Sequence, residues 1–160
     1  EQGERLALNG KNGSGKSSLL KLILGEDIKK TGTISIGSGL IISYVSQDTS
    51  HLSGTLSDYA SQCRIDESLF KAILRKLDFE RIQFTKDMAQ FSGGQKKKVL
   101  IAKSLCEQAH LYLWDEPLNF IDIYSRMQIE QLILDFRPTM IFVEHDRAFR
   151  ETIATKTLEL

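Results

Sequence analysis

The feature that most constrains the fold of this chain is a glycine-rich octapeptide close to its start, residues 10–17. Its sequence fits the pattern G-x-x-x-x-G-K-[ST] of a phosphate-binding P-loop at every fixed position. Residues 5–9, which precede it, alternate with apolar side chains, and residues 18–24 follow it with apolar side chains at helical spacing. This order of strand, glycine loop and helix is the context that a P-loop requires, and it predicts an α/β fold.

The P-loop predicts a binding site for the phosphates of a nucleotide. Its glycines allow the backbone to approach an anion closely, and the N–H groups of the loop and of the following helix would point at that anion. Lys16 would add a positive charge near the β- and γ-phosphates, and the Ser17 hydroxyl would ligate Mg²⁺. The alternative, a glycine-rich turn with a chance lysine, does not explain the flanking strand and helix. The predicted nucleotide-binding residues are Asn12, Gly13, Ser14, Gly15, Lys16, Ser17 and Ser18.

The composition limits the partners and the compartment of the chain. The 21 basic and 21 acidic residues cancel, so no bulk charge favours DNA or an anionic membrane as a partner. There is no apolar run of about 18 residues and no signal-peptide pattern, which predicts a cytoplasmic location without a transmembrane segment. Cys63 and Cys106 lie far apart in the sequence, and we expect them to be reduced thiols in that compartment.

The length and the changing periodicity predict one domain with a helical insert. The chain has 160 residues and begins only a few residues before the P-loop strand, so we expect its N-terminal part to be truncated. Residues 31–37 alternate between glycines and predict a short edge strand or hairpin arm, and residues 40–45 predict a buried strand. Residues 51–91 instead show helical periodicity. We therefore predict an α/β core, residues 1–50 and 92–160, with a small helical subdomain, residues 51–91.

Three predicted strands end in side chains suited to Mg²⁺ and water chemistry. One ends in Asp115 and Glu116; Asp115 would hold Mg²⁺ through water, and Glu116 would orient or deprotonate the attacking water. Another ends just before His145, a position where α/β sheets bind ligands, and this predicts a γ-phosphate contact. Gln47 follows a third strand and would contact Mg²⁺ or the attacking water. The alternatives are exposed strand-end acids, a structural histidine and a surface amide.

The segment Ser92-Gly93-Gly94-Gln95 predicts a second anion-binding element. Ser92 is a natural N-cap for the helix that follows. The glycines leave the backbone open to close approach, and a helix N-terminus with exposed N–H groups suits an anion. Alone, this segment indicates no more than an ordinary helix cap. Its position behind a P-loop favours the anion-binding interpretation.

In order and content, these motifs resemble the ABC ATPase family across essentially the whole chain. The resemblance implies a P-loop NTPase of the ABC type, with a mostly parallel sheet flanked by helices, and it implies ATP and Mg²⁺ as cofactors. It implies catalytic roles for Glu116, His145 and Gln47, and Mg²⁺ contacts for Ser17, Gln47 and Asp115. It further implies a signature motif at Ser92, Gly93, Gly94 and Gln95 and a D-loop at residues 119–122. Phe91 stands where the family usually has leucine, a change that keeps an apolar side chain.

The resemblance also implies a protein partner. In this family the signature of one domain completes the nucleotide site of a second domain, and the two domains pair head to tail around ATP. The chain is therefore expected to pair either with a second ABC domain of the same full-length protein or with another copy of itself. An isolated domain is expected to hydrolyse ATP weakly.

Three segments resemble the ABC-F branch of the family. Residues 116–122, 144–149 and 92–98 are similar to the ABC-F forms of the Walker B, switch and signature regions. Residues 114–119 and 142–146 look closest to antibiotic-resistance ABC-F proteins, which protect the ribosome, and the resemblance is to the second of their two ATPase domains. This resemblance implies the ribosome as a partner. The signature region continues into Lys96, Lys97 and Lys98, with Lys103 further along. These lysines would either contact ribosomal RNA or form a solvated helix face, and the second interpretation is favoured.

Three other functions compete with the ABC-F hypothesis. The first is the ATPase subunit of a membrane transporter, which the short helical insert disfavours weakly. The second is a chromosome-associated or DNA-repair ATPase of the same superfamily. Only about 75 residues without heptads separate the P-loop from the signature, so the long coiled coil of those proteins is absent. The third is a regulatory module without turnover, against which the intact Glu116 and His145 argue.

Overall fold

The computed structural model describes residues 1–160, and its centre is a sheet of five parallel strands. The strands are β1 (Arg5–Asn9), β2 (Ile42–Val45), β3 (Leu111–Asp115), β4 (Met140–Val143) and β5 (Lys156–Glu159). They lie in the order β2-β3-β4-β1-β5, and every neighbouring pair is parallel. Because the strands all run in one direction, the loops that follow them gather at one edge of the sheet.

Helices connect these strands and cover both faces of the sheet. They are α1 (Lys16–Ile23), α2 (Leu56–Gln62), α3 (Glu67–Lys76), α4 (Gly93–Cys106), α5 (Ile123–Phe136) and α6 (Arg147–Ile153). Two 3₁₀ turns, Arg81–Thr85 and Met88–Gln90, lie between α3 and α4. All regular structure within residues 51–91 is therefore helical. None of the helices combines the length and the apolar character needed to cross a membrane.

Alternate residues of the strands bury the two faces of the sheet. On one face, a small apolar cluster lies under α1 and consists of Leu8, Leu20, Leu113 and Val143. The neighbouring strand residues Ala7, Trp114 and Phe142 belong to a cluster of 25 buried residues that includes side chains of α4, α5 and α6. Successive side chains of a strand point to opposite faces, which explains this division. The prediction of an α/β fold with a mostly parallel sheet flanked by helices is confirmed.

The prediction of a strand at residues 31–37 is wrong. The structure has only bends and irregular backbone there, and Ile34 and Ile36 are exposed. A strand needs a neighbouring strand to pair its backbone N–H and C=O groups. In this sheet β2 bonds only to β3, and no strand lies beside it to receive residues 31–37. The strand predicted for residues 40–45 is present but shorter, since β2 begins at Ile42.

The prediction of a solvated helix face is wrong for Lys97 and Lys98, whereas Lys96 and Lys103 are partly exposed. Lys97 and Lys98 are only 2% and 8% exposed. The helix lies between the sheet on one side and α3 on the other, so its middle turns have little contact with solvent. A buried ammonium group must find hydrogen-bond partners. Lys98 Nζ lies 2.9 Å from Asp122 Oδ1, and Lys97 donates to backbone carbonyl groups.

Because Lys98 and Asp122 form an ion pair, we expect the unfolding free energy of the protein to fall in acid. Asp122 also caps α5 by accepting a hydrogen bond from the backbone N–H of Ser125. Burial raises the pKa of Asp122, but the hydrogen bonds from Lys98 and Ser125 outweigh it and lower the pKa from 3.8 to about 2. Because the folded pKa lies below the unfolded one, the stabilisation is present above the unfolded pKa and is lost as the pH falls toward the folded pKa.

We expect Lys98→Met to lower the unfolding free energy at pH 7, and to lower it by about 1 kcal/mol less near pH 2, where the ion pair is lost in the wild type as well. The difference is modest because solvent screens the half-exposed Asp122 carboxylate. Urea denaturation at a series of pH values measures this difference. Lys103→Met, which removes a more exposed lysine of the same helix, is the control and should show a smaller pH dependence. A Lys98→Met effect that is the same at every pH would contradict the assignment.

Candidate functional site

The loops at the carboxyl ends of four strands hold the predicted functional residues. The P-loop follows β1, Gln47 follows β2, Asp115 ends β3, and His145 follows β4. The strand register places Val143, the last residue of β4, opposite both Leu8 of β1 and Asp115 of β3. Parallel pairing therefore brings segments far apart in sequence to one edge of the sheet, where open α/β sheets bind ligands.

A cleft of about 350 Å³ opens at this edge. It is lined by Asn12, Gly13, Gly15, Lys16, Ser17, Ser18, Gln47, Glu116 and Val143. All of these except Val143 are residues that the sequence predicted. Three other predicted residues lie beside the cleft lining rather than in it: Ser14 contacts Lys16, Asp115 is buried at the end of β3, and His145 contacts Glu116.

The P-loop forms a concave, positively charged wall of the cleft. Gly13 and Gly15 have φ angles of 82° and 92°, a left-handed conformation that side chains disfavour, and the space where their side chains would lie is open. Lys16 is 7% exposed, and its ammonium donates to the carbonyl oxygens of Gly10 at 2.7 Å and Lys11 at 2.9 Å. The lysine charge is thus held inside the curve of the loop. A glycine-rich loop of this shape suits a phosphate group.

Three oxygen-bearing side chains meet on the other side of the cleft. Gln47 Nε2 donates to Ser17 Oγ at 3.2 Å and to Asp115 Oδ1 at 3.1 Å. Asp115 is 2% exposed, so its carboxylate is held in place by the surrounding core. A hydroxyl, an amide and a carboxylate are the hard oxygen donors that Mg²⁺ prefers, and Mg²⁺ commonly keeps several waters beside a few such ligands. The residues present therefore fit a Mg²⁺ ion.

Glu116 and His145 form a hydrogen-bonded pair at the rim of the cleft. Glu116 Oε1 lies 2.9 Å from His145 Nε2, and Glu116 Oε2 accepts a hydrogen bond from Asn119 Nδ2 at 3.1 Å. The backbone of Glu116 has a φ of 49°, an unusual value for a residue with a side chain. Its N–H donates to the carbonyl of Val143 at 2.8 Å, which ties this bend to β4. The carboxylate is thus held at both oxygens and is placed to accept a proton from water.

Sequence reasoning missed Glu144, the residue that joins the loops of Glu116 and His145. Glu144 is 6% exposed. Its Oε2 accepts from the backbone N–H of Leu118 at 3.1 Å, and its Oε1 accepts from the backbone N–H of His145 at 3.0 Å. Burial raises the pKa of Glu144; its hydrogen bonds to backbone N–H groups oppose the rise, and the nearby charge of Glu116 adds to it. The only sequence signal is a glutamate directly after a buried strand, which does not reveal that the side chain turns inward.

The signature segment lies outside this cleft. Ser92 caps α4 by accepting from the Gln95 N–H at 3.1 Å, and Gln95 Oε1 accepts from the Ser92 N–H at 2.9 Å. A side chain on Gly94 would place its Cβ 2.4 Å from the carbonyl oxygen of Phe120, so only glycine fits. Ser92 and Gly93 are exposed. The role of this segment at a partner's nucleotide therefore stays a prediction.

The fold and the cleft define a P-loop nucleotide-binding domain. A family model described as "ABC transporter" matches residues 1–119, which include the P-loop, Gln47, the signature and the two strand-end acids. The chain belongs to the ABC transporter family.

Individual relatives point to one branch of that family. The ATP-binding protein Uup of Caulobacter vibrioides is 33% identical over 168 residues, which cover 99% of this chain and 28% of that protein. The ribosome protection protein VmlR of Bacillus subtilis is 29% identical over 164 residues, covering 99% of this chain and 29% of that protein. The chain thus spans less than a third of the length of these relatives. Its homologues are ABC-F proteins, which confirms the resemblance.

The fold has close counterparts among solved structures. One, described as "RNase-L Inhibitor", matches with a TM-score of 0.83 and 26% identity. The match covers 99% of this chain and 32% of that chain. The arrangement of the P-loop and the sheet is therefore that of other ABC ATPase domains.

The geometry of the P-loop predicts that Lys16→Ala abolishes nucleotide binding, because it removes the one ammonium group held inside the loop. Titration with a fluorescent ATP analogue measures this. Lys21→Ala, which removes an exposed lysine from the same helix, is the matched control and should bind as the wild type does. Binding by Lys16→Ala within about twofold of the wild type, a difference well under 1.4 kcal/mol, would contradict the assignment.

The contacts of Glu144 predict a measurable loss of stability in Glu144→Ala. The substitution leaves the backbone N–H groups of Leu118 and His145 without their acceptor, which costs about 1–3 kcal/mol of unfolding free energy. Urea denaturation provides the measurement. Glu151→Ala removes an exposed carboxylate from α6 and should change the unfolding free energy by less than about 0.5 kcal/mol. Equal effects of the two substitutions would show that Glu144 does not join the two loops.

Proposed function

We propose that this chain is the ATP-binding and ATP-hydrolysing domain of an ABC-F protein that acts on the ribosome. The observation that carries the proposal is the meeting of three elements at one edge of the sheet: the P-loop, the Gln47 bridge between Ser17 and Asp115, and the Glu116–His145 pair. Membership of the ABC family supports ATP as the nucleotide. Each of the three elements has a distinct task in phosphoryl transfer to water.

The P-loop wall binds and orients the nucleotide. Residues 12–18 surround the phosphates with backbone N–H groups, and Lys16 contributes the positive charge that the β- and γ-phosphates require. Ser17, Gln47 and Asp115 would hold Mg²⁺ on the opposite side. Bound there, Mg²⁺ would neutralise charge that develops on the phosphate oxygens. Positioning and charge stabilisation supply most of the catalysis in reactions of this class.

Glu116 acts on the attacking water. Its carboxylate is held by Asn119 and His145, so it keeps one orientation toward the cleft. As a general base it takes a proton from water as the water attacks the γ-phosphorus in line with the leaving oxygen. His145 Nε2 lies within hydrogen-bond distance of this carboxylate. An Nε2–H group can serve one acceptor at a time, so a contact with a γ-phosphate oxygen would replace its hydrogen bond to Glu116.

Pairing with a second ABC domain would complete the nucleotide site. The signature segment lies outside the cleft of its own chain, and Ser92 and Gly93 are exposed at the start of α4. The N–H groups at this helix end are suited to a phosphate on another domain. We propose head-to-tail pairing that closes on ATP and opens after hydrolysis. The partner domain belongs either to the same full-length protein or to a second copy.

Two lines of support favour the ribosome as the target of the full-length protein. The ABC-F homologues include one named a ribosome protection protein, at 29% identity. The Walker B and switch segments of this chain, residues 114–119 and 142–146, also resemble the antibiotic-resistance members of that branch. We therefore propose that the protein containing this domain binds the ribosome and protects it from antibiotics.

The test uses the full-length protein with Glu116→Gln and the matching substitution in any second ABC domain. Removing the general base should retain ATP binding, block hydrolysis and trap the ATP-bound pair of domains. We would sediment this variant with ATP against purified ribosomes and, separately, against membranes. We expect sedimentation with ribosomes that depends on ATP.

The control adds Lys16→Ala to Glu116→Gln, which should remove the effect of ATP. Membrane association without ribosome binding would overturn the proposal in favour of a transporter ATPase. Unchanged turnover in the Glu116→Gln protein would show that another residue is the general base.

A further inference from the structure

Lys97 is a buried charge that the steps of ATP hydrolysis described above do not use. It is 2% exposed and is among the largest fully buried side chains of the protein. Its ammonium donates to the backbone carbonyl oxygen of Ser46 at 2.8 Å and to that of Gln47 at 3.3 Å. Burying an ammonium group is costly unless hydrogen bonds compensate. These two carbonyl groups, both in the loop after β2, are therefore the contacts that hold the charge.

Carboxylates lie near Lys97 on the side of the candidate site. Burial lowers the pKa of Lys97, and the nearby charges of Asp115, Glu116, Glu144 and Asp48 oppose this shift without reversing it. The positive charge thus lies under the acidic side of the candidate site. A charged donor forms stronger hydrogen bonds than a neutral one, so its hold on the two carbonyl groups is firm.

The loop that Lys97 contacts has few other restraints. Gln47 and Asp48 are exposed, and the Ser46 hydroxyl donates locally to the carbonyl of Asp48 at 2.6 Å. The Gln47 side chain nevertheless has to reach Ser17 and Asp115 at the Mg²⁺ side of the cleft. The carbonyl groups of Ser46 and Gln47 belong to the two peptide groups on either side of the Gln47 Cα, so Lys97 fixes the backbone from which the Gln47 side chain extends.

The anchor comes from the helix that begins with the signature. Lys97 lies in the second turn of α4, a few residues after the signature ends at Gln95. A continuous series of contacts therefore runs from α4 through Lys97 to the backbone of Gln47, and from the Gln47 side chain to Ser17 and Asp115.

We propose that Lys97 is a positioning residue that couples the signature helix to the Mg²⁺ side of the nucleotide site by fixing Gln47. The proposal rests on the proposed ATPase function, because it assigns Gln47 to the Mg²⁺ side of the cleft. Lys97 itself touches neither the nucleotide nor the ion.

The first test measures Mg²⁺-dependent binding of a fluorescent ATP analogue to the full-length protein. In Lys97→Met, the half-saturating Mg²⁺ concentration should rise about tenfold, because the substitution removes both hydrogen bonds from the ammonium group to the loop, while binding without Mg²⁺ stays unchanged. Lys97→Arg keeps the charge and should restore most of the Mg²⁺ response. Lys103→Met, the same substitution further along α4, is the control and should match the wild type.

A second measurement needs neither nucleotide nor metal. Hydrogen exchange of the backbone amides of Ser46, Gln47 and Asp48 reports how firmly the loop is held. In Lys97→Met these amides should exchange faster, while those of β3 remain protected as in the wild type. Equal exchange of the loop in both proteins would overturn the proposal.

A double substitution separates positioning from a general structural role. If Lys97 acts through Gln47, Lys97→Met should have no further effect on the Mg²⁺ response in a Gln47→Ala background. Additive effects would instead show that Lys97 acts independently of Gln47. If Lys97→Met does not fold, Lys97→Gln, which is neutral and shorter, replaces it in every comparison.

The outcomes distinguish this proposal from the proposed function. If the wild-type protein binds no Mg²⁺-nucleotide, the proposed ATPase function itself is overturned. A wild-type protein with a normal Mg²⁺ response, matched by that of Lys97→Met, would leave the ATPase function in place and overturn only the role of Lys97.

Discussion

The parallel pairing of the strands is the constraint on which the candidate site depends. Antiparallel strands would send alternate loops to opposite ends of the sheet, whereas five parallel strands deliver four loops to one edge. The apolar clusters on the two faces hold this pairing in register. The residues opposite Val143 then decide which loops are neighbours, so the P-loop, the Asp115 strand end and the His145 loop meet without any direct sequence relation among them.

Several charged side chains are buried beneath that edge of the sheet. Four charged side chains are buried there, and each has hydrogen-bond partners: Lys16, Lys97, Asp115 and Glu144. Most of these partners are backbone groups of loops, because a carbonyl or N–H group can solvate a charge without adding another charge. The buried charges therefore fix the conformations of the loops and also contribute to the electrostatic potential of the site. Folding and the geometry of the site are coupled through the same contacts.

The sequence predicted the parts of the site that depend on local pattern. The P-loop is contiguous, and Asp115 and Glu116 lie at the end of an apolar strand, so the local pattern together with the P-loop context predicted their place in the site. The contacts of Glu144 and Lys97 were not predicted, because they depend on which way a side chain turns and on what packs over it. Residues 31–37 illustrate the opposite error: the alternation that predicts a strand is local, but a strand forms only where a neighbour exists to pair with it. Sequence patterns thus reveal motifs better than they reveal three-dimensional surroundings.

The signature and the D-loop are joined more tightly than their separate names suggest. The carbonyl of Phe120 packs so closely on Gly94 that a Cβ there would lie 2.4 Å away, and Lys98 pairs with Asp122 one helical turn later. Both contacts link the start of α4 to the segment between β3 and α5. That segment begins at Glu116, the proposed general base, so the contacts of α4 reach the same loop that positions this carboxylate. In the proposed head-to-tail pair, a partner domain that contacts the signature segment would therefore have two sets of contacts from one helix toward the cleft: through residues 120–122 to the Glu116 segment, and through Lys97 to Gln47.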